Sequence, residues 1–341
     1  MAKIKGPISR IATDIDFDKN GKQISYLAVP SSTNESAYGI VTVPIAVIKN
    51  GRGPTVFFSA GVHGDEYEGQ VTIRKLVRKL KPSQIQGRII CVPSMNLPAA
   101  MAGKRCSPID GLNMNRVFPG TKEGTITTQI AHYVSKVLLP LTDVQVDLHS
   151  GGTTLEYIPT CIMNESADKK REKRTVEAVK AFGLPIGLID RKTDHGGLFE
   201  MEAEEMGILA INTELGGAGR VDPKTVAMAE HGVLNILKLF GLMDGKIVTA
   251  EMQGRAPTRL MHVNDARSHV IAPDAGLYEP FVELGDKIKP GQVLGQVHFL
   301  NNLEKAPAPV RATIGGLLLL KRPPGRVERG DIVHQIAVDV K

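Results

Sequence analysis

The chain has 341 residues, of which 42% are hydrophobic and 23% charged, so it is long enough for two folded domains and has the composition of an ordinary globular protein. Its formal net charge is +6 and its pI is about 9.1, but the lysines and arginines are dispersed, tryptophan is absent and aromatic residues make up only 4% of the chain. These features argue against nucleic-acid binding and favour a small anionic ligand.

The amino-terminal residues lack the apolar core of a secretory signal and contain two β-prone stretches, residues 22–30 and 39–51. We interpret residues 1–45 as a β-rich lead-in to a first domain that spans residues 1–250. No run approaches the roughly 18 consecutive apolar residues that span a bilayer, so we expect a cytoplasmic protein with no membrane partner. The cysteines show no Cys-x-x-Cys spacing, which indicates reduced structural thiols at Cys91, Cys106 and Cys161.

Strands alternate with helices from residue 55 to about residue 240. Apolar, β-prone runs predict strands at residues 55–62, 87–95, 143–152 and 207–217. Apolar residues at helical spacing predict helices at residues 67–81, 127–141, 170–183 and 223–241. This alternation predicts an α/β fold, with a mostly parallel mixed sheet that is covered by helices on both faces.

From residue 251 the sequence consists of short β-prone segments separated by glycine and proline. This pattern predicts a small all-β domain over residues 251–341. Residues 276–297 and 315–338 each contain a Gly-Asp turn between alternating apolar residues, a faint internal repeat. The pattern is similar to the hammerhead of biotinyl and lipoyl carrier domains, but the Met-Lys-Met tip of those domains is missing around Lys305. We therefore expect no carrier role.

Three of the predicted strands end in polar side chains that are followed by glycine. His63, His149 and Glu214 stand at the carboxyl ends of their strands, in the segments FFSAGVHGDE, VQVDLHSGG and LAINTELGG. In open α/β sheets the ligand crevice lies just beyond these ends, and glycine lets backbone or ligand approach closely. The sequence therefore predicts that these side chains meet at one functional site.

Two imidazoles and one carboxylate in this set predict a metal centre. His63 and Glu66 are three residues apart, so a helix beginning near Asp65 would turn both toward one point, where His149 supplies a third ligand. This is the open three-ligand set of catalytic zinc, in which bound water is the nucleophile. We predict one Zn²⁺ per chain; a non-haem iron triad uses similar ligands, but usually with His-x-Asp spacing on a β-barrel.

Other acidic residues near these ligands have separate interpretations. Asp65 and Glu68 are expected to be solvated carboxylates in the first turn of a helix, where the helix dipole favours negative charge. Asp147 shares a strand face with His149, and either orients that imidazole or makes a structural hydrogen bond. Glu214 is predicted to be the general base and acid, with a fourth metal ligand as the alternative.

A polar loop between the first and second ligand segments is predicted to bind substrate. Residues 104–120 have no apolar face, and Asn115 with Arg116 offers a planar group suited to a carboxylate. Arg105 in the same loop is a candidate for polarising the scissile carbonyl. The acidic segment at residues 200–207 is interpreted as a solvated helix face, with contact to an amino-bearing substrate side chain as the alternative.

Four motifs in this order resemble the succinylglutamate desuccinylase and aspartoacylase family, the zinc-carboxypeptidase-like branch: HGDE, NMNRVFPG, DLHSGG and TELGG. The resemblance spans roughly residues 55–220. It implies zinc held by His63, Glu66 and His149, Glu214 as the base, and a substrate carboxylate bound by Asn115 and Arg116. It also implies a C-terminal β domain that closes over the site. One departure is Asn113, where the family commonly has Asp.

We therefore predict a zinc-dependent amidohydrolase that cleaves an acyl group from the nitrogen of an amino acid. The length and the β tail are most similar to the branch that deacetylates N-acetyl-2,4-diaminobutyrate. A zinc carboxypeptidase acting on short or modified peptides is the alternative enzyme, and a non-catalytic binding module is the alternative outside enzymes. The sequence does not decide between a monomer and a homo-oligomer.

Overall fold

The computed structural model describes residues 8–190, 196–263 and 266–340. Within these ranges it contains six α-helices and eighteen strands. The helices are α1 Tyr67–Lys79, α2 Leu97–Ala102, α3 Ile126–Tyr133, α4 Lys169–Phe182, α5 Phe199–Glu205 and α6 Pro223–Leu239. The strands of the first 250 residues are β1 Gly21–Ser31, β2 Gly39–Asn50, β3 Thr55–Ala60, β4 Gly87–Val92, β5 Val144–His149, β6 Glu156–Tyr157, β7 Thr160–Asn164, β8 Ile186–Asp190 and β9 Leu209–Glu214.

The remaining strands are short and belong to the C-terminal part of the chain. They are β10 Arg259–Val263, β11 His269–Ile271, β12 Gly276–Pro280, β13 Lys287–Ile288, β14 Val293–His298, β15 Ala308–Arg311, β16 Gly316–Lys321, β17 Arg326–Val327 and β18 Ile332–Asp339. Four of them form a separate antiparallel sheet in the order β15-β14-β12-β17. The predicted small β unit at the C-terminus is therefore present.

The main sheet is mixed, with a parallel centre. Its strand order is β1-β2-β4-β3-β5-β9-β7-β8-β10-β18-β16-β13, with β11 beside β18 and β6 beside β16. Strands β4, β3, β5 and β9 are parallel to one another, whereas β7 runs antiparallel to β9. These features confirm the predicted α/β class. Strands β7 and β8 are additions to the sequence prediction.

Buried side chains alternate between the two faces of the sheet and fill a core on each side. Phe58 packs with residues of α1, α4 and α6 on one face, while the adjacent Phe57 packs with α3 and α5 on the other. This alternation follows from the two-residue period of a strand, and it explains why β3 is apolar throughout. The described residues include no helix with the length and apolar character of a membrane span.

The main sheet continues past the boundary that the sequence suggested at residue 250. Strand β10 pairs in parallel with β8, and β18 then pairs antiparallel with β10. The division into residues 1–250 and 251–341 stays a prediction, because backbone hydrogen bonds join the two parts. The three cysteines are free thiols, two buried and one partly exposed, as their spacing predicts.

Helix α1 crosses β5 so closely that only glycine fits at the contact. A methyl group on Gly69 would lie 2.3 Å from the Leu148 carbonyl oxygen. This contact brings the start of α1 beside the end of β5. Close approach of these two elements therefore positions the side chains described below.

We predict that Gly69→Ala destabilises the protein by about 1–3 kcal/mol, although alanine ordinarily favours a helix over glycine. The reason is the clash with the Leu148 backbone, which requires α1 and β5 to separate. Urea titration of the free energy of unfolding measures the effect. Gly325→Ala is the matched control, because nothing lies within 4 Å of the added methyl group. Equal stabilities for the two variants would contradict the proposed contact.

Candidate metal centre and active site

Three neighbouring parallel strands deliver polar side chains to one edge of the sheet. Strand β3 ends at Ala60, three residues before His63, while β5 ends at His149 and β9 ends at Glu214. His149 and Glu214 are direct partners in the ladder between β5 and β9. The predicted convergence at the carboxyl ends of the strands is therefore present in the fold.

The turn after β3 sends Glu66 back toward this edge. A methyl group on Gly64 would lie 2.0 Å from the backbone of Ala99, so the turn packs directly on α2. Helix α1 begins at Tyr67, at the start of the predicted helix 67–81 and two residues after the Asp65 start that the ligand argument assumed, and Glu66 is its extended N-cap residue. Glu66 therefore precedes the helix, and its side chain reaches the histidines instead of lying on the helix surface.

His63, Glu66 and His149 form a compact buried group. Nδ1 of His63 lies 2.7 Å from Oε1 of Glu66, and Nδ1 of His149 lies 2.7 Å from Oε2 of the same carboxylate. The backbone N–H of Ser150 donates a further hydrogen bond to Oε2 at 3.1 Å. The three side chains are only 3%, 2% and 7% exposed, respectively. One carboxylate thus draws both imidazoles together.

Asn113 determines which nitrogen of His63 carries the proton. The backbone N–H of Asn115 donates to Oδ1 of Asn113, so that atom must be the amide oxygen and not the nitrogen. The same oxygen lies 3.0 Å from Nε2 of His63, which must therefore be protonated to donate. The lone pair of the neutral imidazole is then on Nδ1, the nitrogen that faces the cluster.

Asp147 is the ion-pair partner of His149 on the side away from Glu66. Its Oδ2 lies 2.7 Å from Nε2 of His149, and its Oδ1 accepts a hydrogen bond from the Ser59 hydroxyl at 2.7 Å. Burial opposes protonation of His149, but Asp147 and Glu66 outweigh burial and raise its pKa well above 6.5. Asp147 therefore both orients the imidazole and makes a structural hydrogen bond, so the two sequence interpretations hold together.

The chemistry of this donor set fits a divalent metal such as zinc. Donor atoms from His63, Glu66 and His149 all lie within 4.8 Å of one another. Burial would raise the pKa of Glu66, but the two imidazoles hold it well below its usual value, so the carboxylate is ionised. Two imidazole nitrogens oriented by oxygen acceptors, together with one ionised carboxylate, match the ligands of catalytic zinc sites.

The prediction of solvated carboxylates at Asp65 and Glu68 was wrong. Asp65 is buried and accepts hydrogen bonds from the backbone and the hydroxyl of Thr153. Glu68 is fully buried, and burial raises its pKa to about 7. The segment after β5 folds over the start of α1, and this long-range packing removes both carboxyl groups from water.

Glu214 lies in the wall of the same cavity, which has a volume of about 260 Å³. Its Oε2 is buried and has no hydrogen-bond partner among the described residues. Burial raises the pKa of Glu214 to about 8, and the negative charge of Glu66 adds to this effect. Tyr157 lines the cavity too; burial and then Glu214 raise its pKa well above 10, so its hydroxyl stays protonated.

The polar loop places Arg105, Asn115 and Arg116 around this cavity. Nη1 of Arg105 lies 3.3 Å from Oε1 of Glu66, so its guanidinium reaches the cluster. Asn115 accepts a hydrogen bond from the backbone N–H of Phe199, and Arg116 is exposed. The assignment of Asn115 and Arg116 to a substrate carboxylate stays a prediction, and the Asn115 side chain also hydrogen-bonds to Glu200.

The interpretation of residues 200–207 as a solvated face is wrong for Glu200, which lines the cavity. Sequence reasoning also missed Asn212, Gln335 and Ser59. Asn212 could have been found, since it stands two residues before Glu214 and shares its strand face. Gln335 comes from β18, near the end of the chain, and no local pattern indicates that it reaches the cavity.

Comparisons with known proteins find relatives that cover most of this chain. The sequence model of the succinylglutamate desuccinylase/aspartoacylase catalytic domain matches residues 52–240. N-alpha-acetyl-L-2,4-diaminobutyric acid deacetylase from Halomonas elongata is 40% identical over 329 residues, which cover 96% of this chain and 95% of that protein.

Two crystal structures are similar over nearly the whole chain. A succinylglutamate desuccinylase/aspartoacylase from Rhodobacter sphaeroides has a TM-score of 0.93 and 41% identity, with 97% of this chain and 100% of that chain covered. The product-bound structure of the ectoine utilization protein EutE (DoeB) from Ruegeria pomeroyi has a TM-score of 0.93 and 36% identity, and the match covers 97% of this chain and 99% of that chain. On these matches, the chain belongs to the succinylglutamate desuccinylase/aspartoacylase family.

Proposed function

We propose that the protein is a zinc-dependent deacylase that hydrolyses the amide bond of an N-acyl amino acid, with N-acetyl-L-2,4-diaminobutyrate as its substrate. The observation that carries this proposal is the buried group of His63, Glu66 and His149 beside the free carboxylate oxygen of Glu214. The name of the Halomonas elongata relative supports the choice of acyl group and amino acid.

His63, Glu66 and His149 would hold the metal through the donor atoms that already face one another. A zinc ion at such a site lowers the pKa of water and polarises a carbonyl group. Asn113 accepts a hydrogen bond from the outer nitrogen of His63, and Asp147 lies at ion-pair distance from the outer nitrogen of His149, so the inner nitrogens are the ones that face the metal position. The protein therefore supplies ligands that are oriented before the metal binds.

Glu214 is the group that moves the proton. Its pKa of about 8 in the metal-free cluster falls when positive charge enters the cluster, because the ionised form is then stabilised. The unpartnered Oε2 can accept a proton from the attacking water and deliver it to the nitrogen that leaves. No other described carboxylate combines ladder pairing with His149 and a free buried oxygen in this cavity.

Positive and protonated groups around the cavity bind the rest of the substrate. Arg105 and the Tyr157 hydroxyl are placed to donate hydrogen bonds to a carbonyl oxygen as its negative charge increases. The exposed guanidinium of Arg116 stands at the cavity wall, where it can bind the substrate carboxylate. The cytoplasmic location remains a prediction from the sequence, which leaves the choice between a monomer and a homo-oligomer open.

Removal of metal should abolish hydrolysis, and one equivalent of zinc per chain should restore it. In the zinc-loaded protein, kcat/KM should be highest for N-acetyl-L-2,4-diaminobutyrate, compared with N-acetylaspartate, N-succinylglutamate and a set of dipeptides. Metal analysis and an assay for released amine measure both quantities. Turnover of dipeptides alone would exclude the deacylase and favour the carboxypeptidase.

Replacement of Glu214 by Gln should lower kcat by about 10²–10⁴-fold, because the amide cannot take up and deliver the proton. The zinc content should not change, since Glu214 makes no contact with the donor atoms that we assign to the metal. Single-turnover rates and metal analysis on the same preparation test this. A variant with full kcat would remove Glu214 from the reaction.

Replacement of Asn113 by Ala should weaken zinc binding by about 10–100-fold, because His63 loses the acceptor that orients it. Asn113→Asp is the matched control: it keeps an oxygen at this position and restores the residue that the family commonly has there. Competition with a chromogenic chelator measures both affinities. If the Ala variant bound zinc as tightly as the native protein, the proposed orientation of His63 would be wrong.

A further inference from the structure

One wall of the active-site cavity carries acceptor oxygens that the proposed reaction does not use. Oε2 of Glu200 and Oδ1 of Asn212 are buried and have no hydrogen-bond partner among the described residues. Both side chains line the cavity that also contains His149 and Glu214. A buried oxygen without a donor is costly, so this wall suits a ligand group that supplies N–H or O–H donors.

Glu200 and Asn212 also line a small recess that adjoins this cavity. The recess has a volume of about 10 Å³, and it shares four lining residues with the main cavity: Ile162, Asn164, Glu200 and Asn212. A space of this size holds about one water molecule or a group as large as one ammonium. The ligand group that fits here is therefore small and rich in hydrogen-bond donors.

The position of Glu200 is set by the residue before it. The backbone N–H of Phe199 donates to Oδ1 of Asn115 at 2.8 Å, and the Phe199 ring stacks on Phe118 with 4.8 Å between centroids. Phe199 is fully buried. These contacts anchor the first residue of α5, so Glu200 enters the cavity from a rigid element and needs little rearrangement to bind a ligand.

Charge points to a cationic ligand group. The described residues that line the recess include two carboxyl groups, of Glu200 and Glu204, and no lysine or arginine side chain. Burial raises the pKa of Glu200, which means that its ionised form lacks sufficient compensation. A bound cation would provide that compensation.

We propose that Glu200 and Asn212 form a specificity-determining subsite that binds the primary ammonium group at the end of the substrate side chain. The proposal rests on the proposed deacylase function, because the acyl amide must lie at the metal centre while the side chain extends to this recess. An ammonium group has three N–H donors, which suit an ionised carboxylate and an amide oxygen. A substrate side chain that ends in a methyl group would leave these oxygens without a donor, and one that ends in a carboxylate would be repelled by them.

The test compares two substrates that differ only at the end of the side chain. N-acetyl-L-2,4-diaminobutyrate ends in an ammonium group, and N-acetyl-L-norvaline has a methyl group at the same position. In the zinc-loaded native protein, kcat/KM should favour the ammonium substrate by about 100-fold or more. Glu200→Gln should lower this preference by about 100-fold while leaving hydrolysis of the norvaline substrate within a few-fold.

Two further variants separate recognition from folding. Asn212→Leu should lower the preference by about 10-fold, since one neutral acceptor is lost. Glu205→Gln is the matched control, because Glu205 is an exposed residue of the same helix. Glu205→Gln should leave kcat/KM for both substrates unchanged. Thermal unfolding of each variant shows whether the fold is intact.

Measuring how tightly the free amino acids bind tests the subsite independently of whether the protein catalyses hydrolysis. If the zinc-loaded protein hydrolysed neither substrate, the proposed function would fail, and calorimetric titration with L-2,4-diaminobutyrate and L-norvaline would still measure the subsite. Tighter binding of L-2,4-diaminobutyrate than of L-norvaline, with this difference lost in Glu200→Gln, supports the subsite. The subsite proposal is overturned if the native protein binds or turns over the two ligands equally. It is also overturned if Glu200→Gln weakens the binding or turnover of both ligands to the same extent.

Discussion

The site depends on one carboxylate that is shared between two imidazoles in a dry environment. Each oxygen of Glu66 faces Nδ1 of a different histidine, and all three side chains are almost fully buried. Such a group is expensive to remove from water, so it persists only where the surrounding elements hold each member in place. The parallel strands β3, β5 and β9 and the start of α1 provide that support.

The support extends outward through hydrogen bonds from a backbone N–H on one side and from a side-chain hydroxyl on the other. On one side, the N–H of Asn115 orients Asn113, which orients His63. On the other side, Ser59 in β3 holds Asp147, which contacts His149. Both chains of contacts end on rigid parts of the molecule, so the directions of the two imidazoles follow from the fold and not from the metal alone.

The sequence predicted the centre of the site better than its rim. His63, His149 and Glu214 follow apolar strands and precede glycines, and this local pattern is enough to place them at one sheet edge. Asp65 and Glu68 were misplaced because a segment more than 80 residues away covers them, as the bonds from Thr153 to Asp65 show. Glu200 was misplaced because α5 has only seven residues, so its apolar residues Phe199 and Ala203 are too few to show which acidic side chains face inward.

The fold shows the same division between local and long-range information. Helices with apolar residues at regular spacing and strands that are buried on both faces were predicted within a few residues of their bounds, except that the helix predicted at residues 127–141 changes from α to π and 3-10 geometry after Tyr133. Strands β7 and β8 are short, and pairing with distant strands makes them part of the sheet. The continuation of the sheet into β10 and β18 likewise requires contacts that no periodic pattern encodes.

This continuous ladder restricts how ligands can enter. Gln335 of β18 lines the active-site cavity, and β18 is tied to the catalytic strands through β10. A hinged lid formed by the C-terminal region would have to break the backbone hydrogen bonds between β8 and β10 each time it opened. Substrate entry and product release are therefore expected to depend on loop and side-chain movements at the cavity mouth, while the main sheet stays intact.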